Sequence, residues 1–281
     1  MTAGTELWLF LVGAGASAVG GMLGMAGGIF VVPILTMFGG VELHAAIGAS
    51  LISVIACSCG SAAAFLRARL TNLRLAVVLE SATTLGALSG VLLAGIVSTR
   101  ALFMLFAAIL LLSAQQMLAR RRDPIAAGTP GGVDALRLAA SYPEGDRETA
   151  YRVSRLPLGM ALMYGAGLIS ALLGIGSGVL KIPAMDSALR LPLKVSSATS
   201  SLMIGVTAAA SAGAYFARGQ IDAQVAGPVA LGSVVGAVIG ARVLMATSSG
   251  KVRVMFVVVL VLLALQMGLA AAGIDLFGGM S

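Results

Sequence analysis

Charge is scarce in this chain. Only 10% of its 281 residues are Asp, Glu, Lys or Arg, against roughly 25% in an ordinary soluble domain. That deficit excludes a fold solvated on all sides. Aromatic residues make up 5%, and there is one histidine, His44. A single histidine and few carboxylates within apolar stretches leave little for metal binding or a general acid/base pair, so no enzyme and no cofactor are expected. The two cysteines, Cys57 and Cys59, lie on nearly opposite faces if helical, and they read as small packing residues. No basic n-region precedes the first apolar run, which has only Glu6 before it. That segment is therefore expected to stay in the mature protein. The net charge of +7 would suit nucleic acid, but the basic residues sit at the ends of apolar segments. Such placement orients membrane helices instead.

Apolar sequence is what the chain has in abundance. Hydrophobic residues reach 59%, mean hydropathy is +1.03, and there are 37 glycines. Small residues let membrane helices approach closely, where packing replaces the hydrophobic effect as glue. Eight apolar segments can be read, at 7–38, 45–66, 75–98, 101–119, 157–189, 195–217, 223–247 and 251–273. Most match the roughly 20 residues that cross a bilayer. The first and fifth are longer and predict two shorter helices each, meeting at glycines. Residues 120–156 differ in kind. They open with Arg120, Arg121 and Arg122, contain Pro124, Pro130 and Pro143, and hold five of the eleven acidic residues. They predict a solvated linker with a short amphipathic helix near Val133–Ala140.

The long segments share a pattern. GGMLGMAGGIFVVP runs from Gly20 to Pro33, and ALLGIGSGVLKIP from Ala171 to Pro183. Gly24, Gly28 and Pro33 align with Gly174, Gly178 and Pro183 at one offset. Three further blocks follow in the same order. Gly48-Ala49-Ser50-Leu51 matches Thr199-Ser200-Ser201-Leu202, Phe65-Leu66-Arg67 matches Phe216-Ala217-Arg218, and Gly86–Gly90 matches Gly236–Gly240. The chain is thus two membrane repeats, 1–119 and 157–281, joined by the 120–156 linker. With the broken segments drawn as re-entrant hairpins and the linker inside, all basic residues but Arg100, Arg218 and Lys181 fall on the cytoplasmic side. The positive-inside rule favours that arrangement. Each half then has a hairpin and three crossings, an odd number, and the second repeat is inverted. The expected fold is an all-α polytopic membrane protein with two inverted repeats; the alternative is a parallel four-plus-four set of helices.

Broken apolar helices at matching places in two halves point to the binding site of a secondary transporter. Gly24, Gly27, Gly28, Gly174, Gly176 and Gly178 allow close backbone approach. A helix restarting after each break aims unpaired N–H groups and a partial positive charge at the gap. The alternative reading is tight packing at a helix crossing. Lys181 lies inside the fifth segment, where an ionised lysine costs roughly 2.5–3.5 kcal/mol and signals function. It would attract an anion, unless it snorkels to the interface. Ser50, Thr199, Ser200 and Ser201 open the helix after each hairpin and can donate to an anion or bond back to their own helix. Glu80 is the candidate for a coupling proton. It can pair with Lys181, but Arg74 or Arg67 is the expected partner. His44 is expected on an outer loop. Gly174-Ile175-Gly176-Ser177-Gly178 looks superficially like a nucleotide loop, but no strand precedes it and no Lys-Ser/Thr closes it. The implied partners are a small anion, lipid and a coupling proton, with no nucleic acid; an anion channel and a passive scaffold are the competing readings.

These residues resemble the TauE/SafE sulfite-exporter family, also called the TSUP permeases. The resemblance rests on Gly24 to Pro33, on Ala46 to Leu51, and on their second copies. It covers nearly the whole chain outside the linker. It implies a multi-pass permease of the bacterial inner membrane carrying sulfite, sulfoacetate or related sulfur-containing or organic anions, with proton coupling. Ser177 departs from the pattern, standing where the family often has glycine, and its hydroxyl would narrow the pocket or add a contact.

Overall fold

The computed structural model describes residues 3–93, 99–119, 138–144, 147–173, 178–217, 219 and 221–271. It is helical nearly throughout. The first half runs α1 (Ala3–Leu23), α2 (Gly28–Gly39), α3 (Leu43–Arg67), α4 (Leu73–Leu93) and α5 (Thr99–Ala119). A β-hairpin follows, β1 (Ala140–Glu144) with β2 (Arg147–Tyr151). The second half repeats the order with α6 (Leu156–Leu173), α7 (Gly178–Ala184) passing into a π-helical turn (Met185–Leu189), α8 (Leu193–Ala217), α9 (Ala223–Ala246) and α10 (Ser249–Ala271). Within the described residues, every predicted apolar segment is a helix or a pair of helices. Among the described residues, four helices are long and apolar enough to cross a membrane: Gly4–Leu23, Ala45–Arg67, Ala223–Ala246 and Ser249–Gln266. Large apolar side chains such as Leu11, Val77, Leu88, Leu231 and Leu262 are more than half exposed, as lipid-facing positions should be.

Three expectations need correction. The amphipathic helix near Val133–Ala140 is not supported at its end, because Ala140 opens a strand; residues 133–137 lie outside the described residues. That hairpin adds a β element to the expected all-α fold. Tyr142 and Tyr151 are each 3% exposed and their rings lie 6.1 Å apart, so this stretch of linker carries its own apolar side. His44 stands in the first turn of α3 rather than in a loop.

The fold contains two compact units, and each draws on both halves of the sequence. One comprises the described residues of 1–65 and 200–247; the other comprises those of 66–199 and 248–271. Within the first, α1 packs along α9, and within the second α6 packs along α4. Glycines set both crossings. A Cβ on Gly236 would strike the carbonyl of Ala14, and one on Gly86 would strike that of Tyr164. These two pairs of positions carry the same offset as the glycine repeat, so one crossing is built twice from swapped halves. In the first unit an apolar core of Leu9, Ala16, Val31, Leu35, Ala46, Ala49 and Val229 sits beside that crossing.

Candidate functional site

The ladder of α1 stops at Leu23 because the next residues leave helical geometry. Gly24 has φ +71° and Ala26 has φ +55°, left-handed values that cost an L-residue about 1–2 kcal/mol. Met25 N–H turns back to the Gly20 carbonyl at 2.9 Å. The chain then reverses, since a Cβ on Gly39 would lie 2.9 Å from the Trp8 ring. The second half does likewise, with a Cβ on Gly159 meeting Leu189. The two hairpins also end alike. Gly40 (φ +59°) and Arg190 (φ +54°) are left-handed caps whose following N–H groups bond Leu35 O at 3.1 Å and Met185 O at 3.4 Å.

At the first break, α2 starts on Gly27, whose carbonyl accepts from Phe30 and Val31 N–H at 3.0 and 3.1 Å. The N–H groups before these have no carbonyl a turn behind them. Gly28 is pressed against α3, where a Cβ would come within 2.9 Å of Ser50 Oγ and 2.5 Å of Val54. Ser50 Oγ donates to Gly28 O at 3.2 Å, so this hydroxyl braces the hairpin. Ser17 is the unanticipated neighbour. Its hydroxyl is fully buried without a partner and lies 2.7 Å from where Gly27 would carry a Cβ. Cys57 packs behind with Ala26, Ile204 and Ala237, and both cysteines are free thiols.

Of the second glycine run, Gly174, Gly176 and Ser177 lie outside the described residues. Gly178 opens α7 and is buried. One turn on, Lys181 is fully buried and its Nζ lies 2.8 Å from Glu80 Oε2 on α4. The expected pairing of Glu80 with Arg74 or Arg67 is therefore overturned: α4 turns the carboxylate toward α7. Pro183 removes a donor from the helix, and the next residues widen into the π-helical turn, a form that recurs at functional sites. Within it Asp186 is 7% exposed and reaches Arg253 of α10 at 3.6 Å. Arg253 also donates to Met117 O at 3.2 Å. Sequence reasoning passed over Asp186, although an acidic residue three positions beyond Pro183 in an apolar segment was a usable signal.

Helix α8 carries the hydroxyls. Thr199 Oγ1 accepts from the backbone N–H of Asn72 at 3.2 Å. Ser196, Ser197, Ser200 and Ser201 are buried with no partner for any of the four hydroxyls. Ser196 and Ser197 lie one turn before the expected Ser200 and Ser201, so helical periodicity alone would have added them. Asn72 caps α4 through Leu75 N–H at 3.1 Å and donates to Leu138 O at 2.9 Å and Tyr151 OH at 3.2 Å. Burial pushes the Tyr151 phenol above its ordinary pKa, with the Asn72 hydrogen bond opposing. Ser154 ties the same stretch to the second hairpin, donating to Leu189 O at 3.2 Å and Ala188 O at 3.3 Å.

Apolar helices broken by glycine, with an ion pair and unpartnered hydroxyls buried among them, define a multi-pass membrane transport protein rather than a soluble receptor. The chain belongs to the Sulfite exporter TauE/SafE family, which it matches over residues 9–267. It is 24% identical over 267 residues, 92% of this chain and 96% of the relative, to the "Probable membrane transporter protein YunE" of Bacillus subtilis (strain 168). No solved structure matches.

Proposed function

We propose that the protein is a secondary transporter of a small anion, with sulfite, a sulfonate or another organosulfur or organic anion as the substrate class. The observation that carries this reading is the first hairpin break, where the buried, unpartnered Ser17 hydroxyl lies 2.7 Å from where Gly27, at the start of α2, would carry a Cβ. A helix start favours negative charge, and an orphaned donor favours an acceptor that is not protein. Gly24, Gly27 and Gly28 form this cradle. Gly174, Gly176, Ser177 and Gly178 are its proposed counterpart in the second repeat. Lys181, Ser50, Thr199, Ser200 and Ser201 complete the proposed set, and Glu80 is the carboxylate for coupling. The family description supports a sulfur oxyanion.

The proposed cycle is alternating access, which exposes the breaks in turn to each side of a bacterial inner membrane. The two repeats, 1–119 and 157–281, are inverted in this reading, and the linker 120–156 is cytoplasmic. The matched crossings at Gly86 and Gly236 support a repeat. The test is counterflow in proteoliposomes. Labelled sulfite should accumulate transiently against unlabelled sulfite inside, and Gly28→Val should abolish it. Flux without counterflow would make the protein a channel. Counterflow that survives Gly28→Val would remove the first break from the site.

A further inference from the structure

The ion pair in the second hairpin has a built-in control in the first. Lys181 corresponds to Val31 and Glu80 to Ala230 at the offset that aligns the glycines. Val31 is fully buried in the apolar core with Leu35 and Val229. The same hairpin is therefore built once with apolar residues at these places and once with two charges. Packing does not require the charges. Replacing a buried ion pair by apolar side chains is often neutral or stabilising, so a purely structural role leaves Lys181 unexplained.

With Glu80 ionised at 2.8 Å, the lysine's charge is cancelled and offers little to an anion. Resting on the transport reading above, we propose that Glu80 and Lys181 form a proton-operated latch. Protonation of Glu80 removes the carboxylate charge facing Lys181, so that an anionic substrate can take its place, and one proton moves with each negative charge. The balance is simple. The carboxylate takes up one proton, the pair goes from neutral to singly positive, and a monovalent anion restores neutrality. When the anion leaves, the proton leaves and the pair re-forms.

Among the described residues, the helices packed near this pair carry few other charges. On α4 the charged residues are Arg74 and Glu80 alone, and α5 beyond Arg100 and the whole of α6 carry none. Tyr164 of α6 is engaged with Ser89 at 2.8 Å. Asp186 is matched by Arg253. Lys194 is the charged residue of α8, and Lys251 stands with Arg253 on α10.

Linkage supplies the test, because a proton that promotes anion binding must be taken up when the anion binds. The purified full chain in detergent is titrated with methanesulfonate and sulfate, both fully ionised, from about pH 8 to about pH 6. Wild type should bind methanesulfonate about tenfold more tightly per pH unit, with about one proton absorbed per anion. Glu80→Gln should bind at every pH with no proton uptake. Glu80→Gln with Lys181→Met should stay folded and lose the anion. A pH slope that survives in Glu80→Gln overturns the latch and leaves the transport reading intact. A wild type that binds neither probe and exchanges no sulfite overturns both.

Discussion

At the first hairpin Val31 is sealed among aliphatic side chains, Ser50 braces Gly28, and the buried Ser17 hydroxyl at the break has no hydrogen-bond partner. At the second, the equivalent helix buries Lys181 against Glu80 and Asp186 against Arg253, next in sequence to four unpartnered serines on α8. The backbone plan is common to both, down to the left-handed cap after each. The two copies thus share a scaffold, while these buried ion pairs stand on the second hairpin. In the latch proposed above one titratable pair suffices to couple a proton, and a second would double the desolvation cost.

The largest effect should come from splitting the charged pair. Lys181→Met alone leaves a buried carboxylate without its cation and should cost about 3–5 kcal/mol, read from denaturation in mixed micelles. Adding Glu80→Gln should restore most of it. If the single and double variants are equally stable, the pair contributes no net electrostatic stability. The converse experiment puts a charge in the apolar copy. Val31→Lys should lose roughly 2.5–3.5 kcal/mol and lower the yield of folded protein; unchanged stability would mean that the two hairpins are less different than their packing.

Smaller effects test what the copies share. Gly86→Ala and Gly236→Ala each push a methyl into a carbonyl of the facing helix and should cost a similar 1–3 kcal/mol, about that of overpacking. Unequal losses would break the equivalence of the crossings. The caps come next. Nothing lies near a Cβ at Gly40, so Gly40→Ala should lose about 1 kcal/mol through backbone strain alone. Arg190→Gly should recover up to about the same amount. Smallest for stability is Ser201→Ala. Its hydroxyl has no partner, so the melting temperature should stay put, within about 0.5 kcal/mol, while anion exchange falls. A variant that melts early and transports normally would make Ser201 a packing residue.

Much of the architecture was legible without coordinates, because it follows from short-range rules. Segment lengths and the meeting of two shorter helices at the glycines of the first long segment depend on backbone preferences of neighbouring residues. The β-hairpin was missed for a related reason. Its strands are short, bracketed by charges, and held by Asn72, a residue far away in sequence. Local periodicity carries no trace of such an anchor.

By itself the sequence determined that the chain lives in lipid, that it is a duplicate, and where its helices must break. Composition, offset and glycine placement are enough for that. Only the tertiary structure decided that each unit takes helices from both halves, that Glu80 meets Lys181 rather than a nearby arginine, and which hydroxyls go unsatisfied. Those outcomes join residues as far apart as Glu80 and Lys181, 101 positions in the chain. They depend on which helix packs against which, a choice made by close-packing glycines and desolvated charge acting across the fold.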